Sequence, residues 1–155
     1  MFISNILKSF LRDTAIESEN SFYLTDLKNV VGFADKNSYK EMKNTISRDL
    51  LSQLLAFANY NGNQQLYFFA NNKFDVLPLM EKQTENKQWQ SQIIFPIYLD
   101  DLLYGSLVMV NKNKTFKENE VASFMEVQVD FVFKMILDEI RKFERSQGLG
   151  WDYDE

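Results

Sequence analysis

The segment that most constrains the fold runs from about residue 116 to about residue 146. Its apolar residues recur at helical spacing, so it reads as one helix about 45 Å long at 1.5 Å per residue. Val121, Phe124, Gln128, Phe131, Met135 and Leu137 lie along one side, and Ala122, Met125, Val129, Phe133, Ile136 and Ile140 along another. A helix resting on one sheet needs a single apolar stripe. The surplus stripe therefore demands a second neighbour. The N-terminal segment supplies it, with Phe2, Ile3, Ile6, Leu7, Phe10, Leu11 and Ile16 at helical spacing. Two arrangements satisfy this: both helices packed within one monomer, or a homodimer formed across them. Thr115 followed by Glu118 fits a capping box at the start of the long helix. Gly148 and Gly150 end it, which predicts one domain over 1–147 and an acidic tail over 148–155.

Between the terminal helices the pattern changes to strands. FYLT and VVGFA read as a hairpin turned at Asp26-Leu27-Lys28-Asn29. Residues 38–59 read as helical, most clearly from Ser47, a candidate N-cap, through Leu50, Leu51, Leu54, Leu55 and Ala58. Asn59-Tyr60-Asn61-Gly62-Asn63 turns the chain, and QLYFFA and FDVLPLM are the next predicted strands. EKQTENKQWQSQ reads as a loop or solvated edge. IIFPIYL and LLYGSLVMV then form a hairpin about Asp100-Asp101. Pro96 inside this hairpin predicts a break in the ladder, and Gly105 a close approach to the backbone. Strands joined by hairpins and flanked by helices define an α+β chain with an antiparallel sheet.

Composition then limits the chemistry. The chain has no cysteine and no histidine, which removes disulfides, thiol nucleophiles, Cys/His zinc sites and a histidine base. A metal would need an all-oxygen site, and neither a metal nor a catalytic residue is expected. The formal net charge of -5 comes with no Lys/Arg cluster, so direct binding to nucleic acid is not expected. Lys8 and Arg12 interrupt the first apolar segment, which is neither a signal peptide nor a membrane span. A cytoplasmic protein is the expectation.

Candidate sites are few. Asp100-Asp101 reads as a turn rather than a cation site. Asp35 to Glu41 resembles the start of a calcium loop, but Lys40 and Ile46 stand where glycine and a bidentate glutamate are required. Lys112 and Lys114 precede a helix N-terminus, where an anion would be favoured, although solvated lysines are the plainer reading. Aromatic residues are abundant at 15%. Tyr67, Phe68, Phe69, Phe95, Tyr98 and Tyr104 fall on predicted strands and serve first as core. If both sheet faces are covered, Tyr67, Phe69, Phe95 and Tyr104 would line a small-molecule pocket between sheet and helix. Ile3, Leu7, Phe10, Phe131 and Met135 are the candidates for a dimer or partner-helix face.

Residues 93–140, with Pro96 closing one strand, Gly105 opening the next, and Phe116, Glu118 and Glu120 at the helix entry, resemble the C-terminal half of a GAF domain. FYLTDLKNVVGFADKNSYKEMKNTIS is similar to the opening of the GAF-like regulatory domains of the stage V sporulation protein T kind. The resemblance implies a GAF/PAS-like antiparallel sheet flanked by helices, with the N-terminal and long C-terminal helices packed together. It further implies a non-enzymatic sensory or regulatory role in transcription control, a homodimer, and a small ligand. The alternative is a protein-interaction or assembly module of the same fold, without ligand. The chain opens directly at the leading helix, so the DNA-binding module of those regulators is not expected. The cysteine that holds a bilin in phytochrome-type members is absent, which removes that cofactor. Asn72-Lys73-Phe74-Asp75 approaches a cyclic-nucleotide signature outside its helical context.

Overall fold

A computed structural model describes residues 3–59, 67–81, 89–99 and 101–146. The leading apolar spacing becomes α1 (Asn5–Ser18), whose buried stripe includes Leu7, Leu11 and Ala15. The Ser4 hydroxyl caps it, accepting from the Leu7 N–H at 3.1 Å. β1 (Ser21–Asp26) and β2 (Asn29–Ala34) form the expected hairpin. The Asp26 carboxylate turns it by accepting the N–H groups of Lys28 and Asn29, each at 2.7 Å.

Residues 39–45 correct the sequence reading. They form β3 (Tyr39–Thr45), an edge strand paired with β2, and not the first turns of a helix. The Asp35 carboxylate accepts the N–H groups of Asn37 and Ser38 at 2.8 and 3.0 Å, folding the chain back along β2. Only Tyr39 and Met42 on this strand are half-buried, so the period-2 signal is nearly absent, and Lys40, Glu41 and Lys43 suit an edge that must stay unpaired. α2 (Arg48–Ala58) starts where predicted, with the Ser47 hydroxyl accepting from the Leu50 N–H at 3.0 Å.

β4 is short (Phe68–Ala70). FDVLPLM is not the predicted strand: only Met80 forms an isolated bridge, to Ile46. Its backbone finds a side-chain partner instead, as the Gln92 amide both accepts from the Leu77 N–H (2.9 Å) and donates to the Leu77 carbonyl (3.0 Å). β5 (Ser91–Leu99) and β6 (Leu102–Asn111) are the expected hairpin. The sheet has the order β3-β2-β1-β6-β5-β4, with every neighbouring pair antiparallel.

Pro96 does not break the ladder. It pairs with Ser106 in continuous register, and the shift comes between Ile97 and Tyr98. Among the described residues β4 pairs with β5 only at residues 92–94, so the paired neighbour described for Pro96 is β6, and a sheet allows a proline where a ladder bond on one side is not required. Gly105 does mark a close approach, but by a strand: a Cβ there would collide with the Thr25 carbonyl oxygen of β1.

The terminal helix begins at α3 (Glu118–Phe124), passes through a π-turn (Met125–Val129) and continues as α4 (Asp130–Ser146). Its capping pair lies two residues beyond the predicted one, with the Lys117 N–H donating to the Glu120 carboxylate at 3.2 Å. The Asn71 amide holds Phe116 out of the helix, bonding both its N–H and its carbonyl at 2.8 Å.

Alternation along the central strands builds two cores. Phe22, Ile93, Phe95, Leu107 and Met109 face α1 and the terminal helix. Tyr23, Ile94, Val108 and Val110 face α2, meeting Leu50, Leu54, Phe57 and Trp89. Both faces are covered, which is why the central strands read as unbroken apolar runs. Phe10 of α1 and Phe131 of α4 have ring centroids 4.5 Å apart, so the terminal helices meet within one chain. The predicted acidic tail, Asp100 of the hairpin turn, the turn over 60–63 and most of EKQTENK lie outside the described residues.

Candidate functional site

The structure brings three of the four pocket candidates together. Tyr67 stands 6.2 Å from Phe95 and 6.4 Å from Phe69 between ring centroids. Phe95 is fully buried on the terminal-helix face, while Phe69 is partly exposed on the edge strand. Tyr104 is apart from them, partly exposed at the β5–β6 register shift. The helix completes the aromatic wall: Phe124 lies 5.7 Å from Phe95 and 5.6 Å from Phe22. Its helical spacing was legible in the sequence, but not its meeting with Phe95.

A cleft of about 440 Å³ opens elsewhere, at the end of the sheet where α1 stops and β6 leads toward the terminal helix. Asn20, Asp35, Lys36, Trp89, Asn111 and Lys112 are among its walls. Asn111 organises it. Its amide donates to the Glu19 carbonyl (3.1 Å) and the Asn20 side chain (2.8 Å), and its oxygen accepts the N–H groups of Asn113 (2.8 Å) and Lys114 (2.9 Å). The two lysines weighed as an anion site are directed away from the start of the terminal helix. The Lys114 ammonium donates to the Ser18 carbonyl at 3.2 Å, and that of Lys112 lies 5.6 Å above the Trp89 ring. Nothing in the sequence pattern marked Asn20, Asn111 or Trp89, because each is an isolated residue whose role depends on segments far apart in the chain.

Among the described residues the cleft offers amides and charges of both signs and no nucleophile–base pair. Among the described residues no group of acidic side chains is placed to hold a metal. One buried titratable group stands out away from the cleft. The Tyr39 hydroxyl lies over Gly32 with no hydrogen-bond partner among the described residues. Burial, and then the nearby Glu41 carboxylate, push its pKa up to about 12. Phe74 of the Asn72–Asp75 segment is 85% exposed, and that segment is a turn in which the Asn72 side chain accepts the Phe74 N–H at 2.9 Å.

The partner-face candidates divide. Leu7 is wholly buried inside its own chain, and Ile3, Phe10 and Met135 are half-buried against the same core. Phe131 is 43% exposed, and two further apolar residues of the terminal helices are exposed as well, Ile6 at 70% and Val127 at 62%. No helix among the described residues is long and apolar enough to cross a membrane.

No family model and no curated protein matches the sequence. Solved structures match the fold. The blue-light absorbing form of the Thermosynechococcus elongatus PixJ GAF domain superposes with a TM-score of 0.57 at 13% identity, over 95% of this chain and 93% of that one. The cofactor-binding GAF domain of the nutrient sensor CodY from Clostridium difficile gives 0.55 at 14%, over 90% and 86%. A type II free methionine-R-sulfoxide reductase from Thermoplasma acidophilum gives 0.54 at 10%, over 86% and 94%. The fold of this chain is therefore that of GAF domains, an antiparallel sheet with its terminal helices packed together on one face.

Proposed function

We propose that this chain is a non-enzymatic sensory or regulatory domain that acts in the cytoplasm as a homodimer. The observation that carries the proposal is the apolar flank of the terminal helix pair. Phe131, Ile6 and Val127 stay substantially exposed although both helices are anchored to the sheet. An apolar surface retained beside an already satisfied core is a surface for association. Two structures of this fold are a light-absorbing domain and the cofactor-binding domain of a nutrient sensor, which supports a sensory reading. The reductase of the same fold shows that enzymes occur on it, but a chain without cysteine or histidine has neither a thiol nor an imidazole to work with. The narrower likeness to sporulation-type transcription regulators rests on the sequence segments alone. A small ligand would sit behind the aromatic wall of Tyr67, Phe69 and Phe95, and Tyr104 stands apart from it.

Sedimentation velocity of the wild type and of Phe131→Asp tests the dimer. The expected result is a dimer that becomes a folded monomer on substitution; a wild type that stays monomeric at every concentration refutes it. The close packing of Phe95 against Tyr67 and Phe124 favours a second reading, an interaction module of the same fold without ligand. Thermal shift against amino acids, nucleotides and other metabolites separates the two. A saturable rise with one compound class supports the sensor, and no shift with any supports the module.

A further inference from the structure

Val121 and Ile136 are both buried against the sheet side of the terminal helix, fifteen residues apart. Four turns of straight α-helix use about 14.4 residues, so the drift of about 60° would carry Ile136 off the sheet. The π-turn at Met125–Val129 takes up that excess. Neither proline nor glycine occurs between residues 118 and 146, so the irregular turn does not come from a helix-breaking residue. From its last residue onward the sheet-facing stripe is Val129, Val132 and Ile136, followed by the half-buried Ile140.

One residue earlier runs a second stripe: Gln128, Phe131, Met135 and Glu139. It is in step with Val121 and Phe124 at the three-and-four spacing of an unbroken α-helix. Relaxing the π-turn to α would rotate α4 by about 100°, one residue's turn. Each sheet-facing place would then pass to the preceding residue, so that Phe131 replaces Val132 and Met135 replaces Ile136. We propose that the terminal helix has two packing registers and that Met125–Val129 is the switch between them.

The π register is the ground state because the alternative buries Gln128 and Glu139 in place of Val129 and Ile140. The exchange is not prohibitive. Phe131 brings more apolar surface than Val132, and the Glu139 side chain is already only 14% exposed, with the Lys142 ammonium 3.8 Å away. The consequence is regulatory: Phe131 faces the outer flank in one register and the sheet in the other, so whatever binds that flank selects the register. This step does not require that the occupant be a second copy.

The absence of cysteine makes the test direct. Single cysteines at Phe131→Cys and Val132→Cys report the register by their rate of reaction with a maleimide. In the otherwise native chain, position 131 is expected to react faster. Adding Gln128→Leu and Glu139→Leu is expected to shift the 131-to-132 ratio at least tenfold toward 132. An unchanged ratio overturns the proposal. Deleting Val127 removes the extra residue and locks the present register, with two measurements attached. Tm should stay within a few degrees, and amide exchange over 125–136 should slow tenfold or more; loss of folding, or exchange equal to the wild type, also overturns it.

Discussion

Gly105 and Tyr39 show how far a single residue's chemistry carries. Gly105 stands opposite Asp26 in the β1–β6 ladder, and its missing side chain lets the Thr25 carbonyl approach. Beside it the buried hydroxyls of Thr25 and Ser106 share a hydrogen bond of 2.6 Å, so the strands have no freedom to part. Gly105→Ala should cost about 2–3 kcal/mol, seen as a lower urea midpoint without loss of the folded baseline. Tyr39 covers Gly32 with its ring while its hydroxyl remains buried and unpartnered among the described residues. Its folded pKa of about 12 exceeds the ordinary 10.0, so the neutral phenol is the form favoured by folding. That contribution is complete below pH 10 and is lost as pH rises toward 12, because the unfolded chain ionises first. Tyr39→Phe should therefore flatten the fall of Tm over that interval. At neutral pH it should cost little, since the lost hydroxyl makes no bond among the described residues.

The elements were legible where a local signal coincided with their boundary. Ser47 is one such place: its hydroxyl accepts the Leu50 N–H and donates to the Pro78 carbonyl, joining the start of α2 to the segment that crosses below it. Ser47→Ala should lose about 1 kcal/mol in chemical denaturation, with the helix content at 222 nm largely kept. β3 was illegible for the opposite reason. An edge strand that buries only two half-covered side chains has no alternation to read, and its existence depends on ladder bonds to β2. The segment over 76–80 misled in the other direction, because Val76, Leu77, Leu79 and Met80 pack on the α2-side core as a loop held by Gln92. The two stripes of the terminal helix were read correctly as surplus, but a helical wheel assumes one constant pitch and so could not locate the π-turn.

At the scale of the whole molecule, one sheet divides two cores and its central strands contribute side chains to both. Leu107→Ala on the terminal-helix face and Leu54→Ala on the α2 face should each cost about 3 kcal/mol. Far-UV circular dichroism and tryptophan fluorescence should follow one coincident transition in both variants; separated transitions would mean that the faces unfold independently. The sequence by itself determined the α+β class, the first and last hairpins, the cap of α2 and the need of the long helix for two neighbours. These follow from periodicity and turn chemistry, which are properties of residues near one another in the chain. Tertiary structure alone decided that 39–45 is a strand, that Tyr67, Phe69 and Phe95 meet while Tyr104 does not, and that Asn111 ties the end of α1 to the end of β6. It also decided which stripe of the terminal helix meets the sheet. Each of these depends on contacts between distant segments, where the free energy belongs to the pair and neither partner carries a local signal of it.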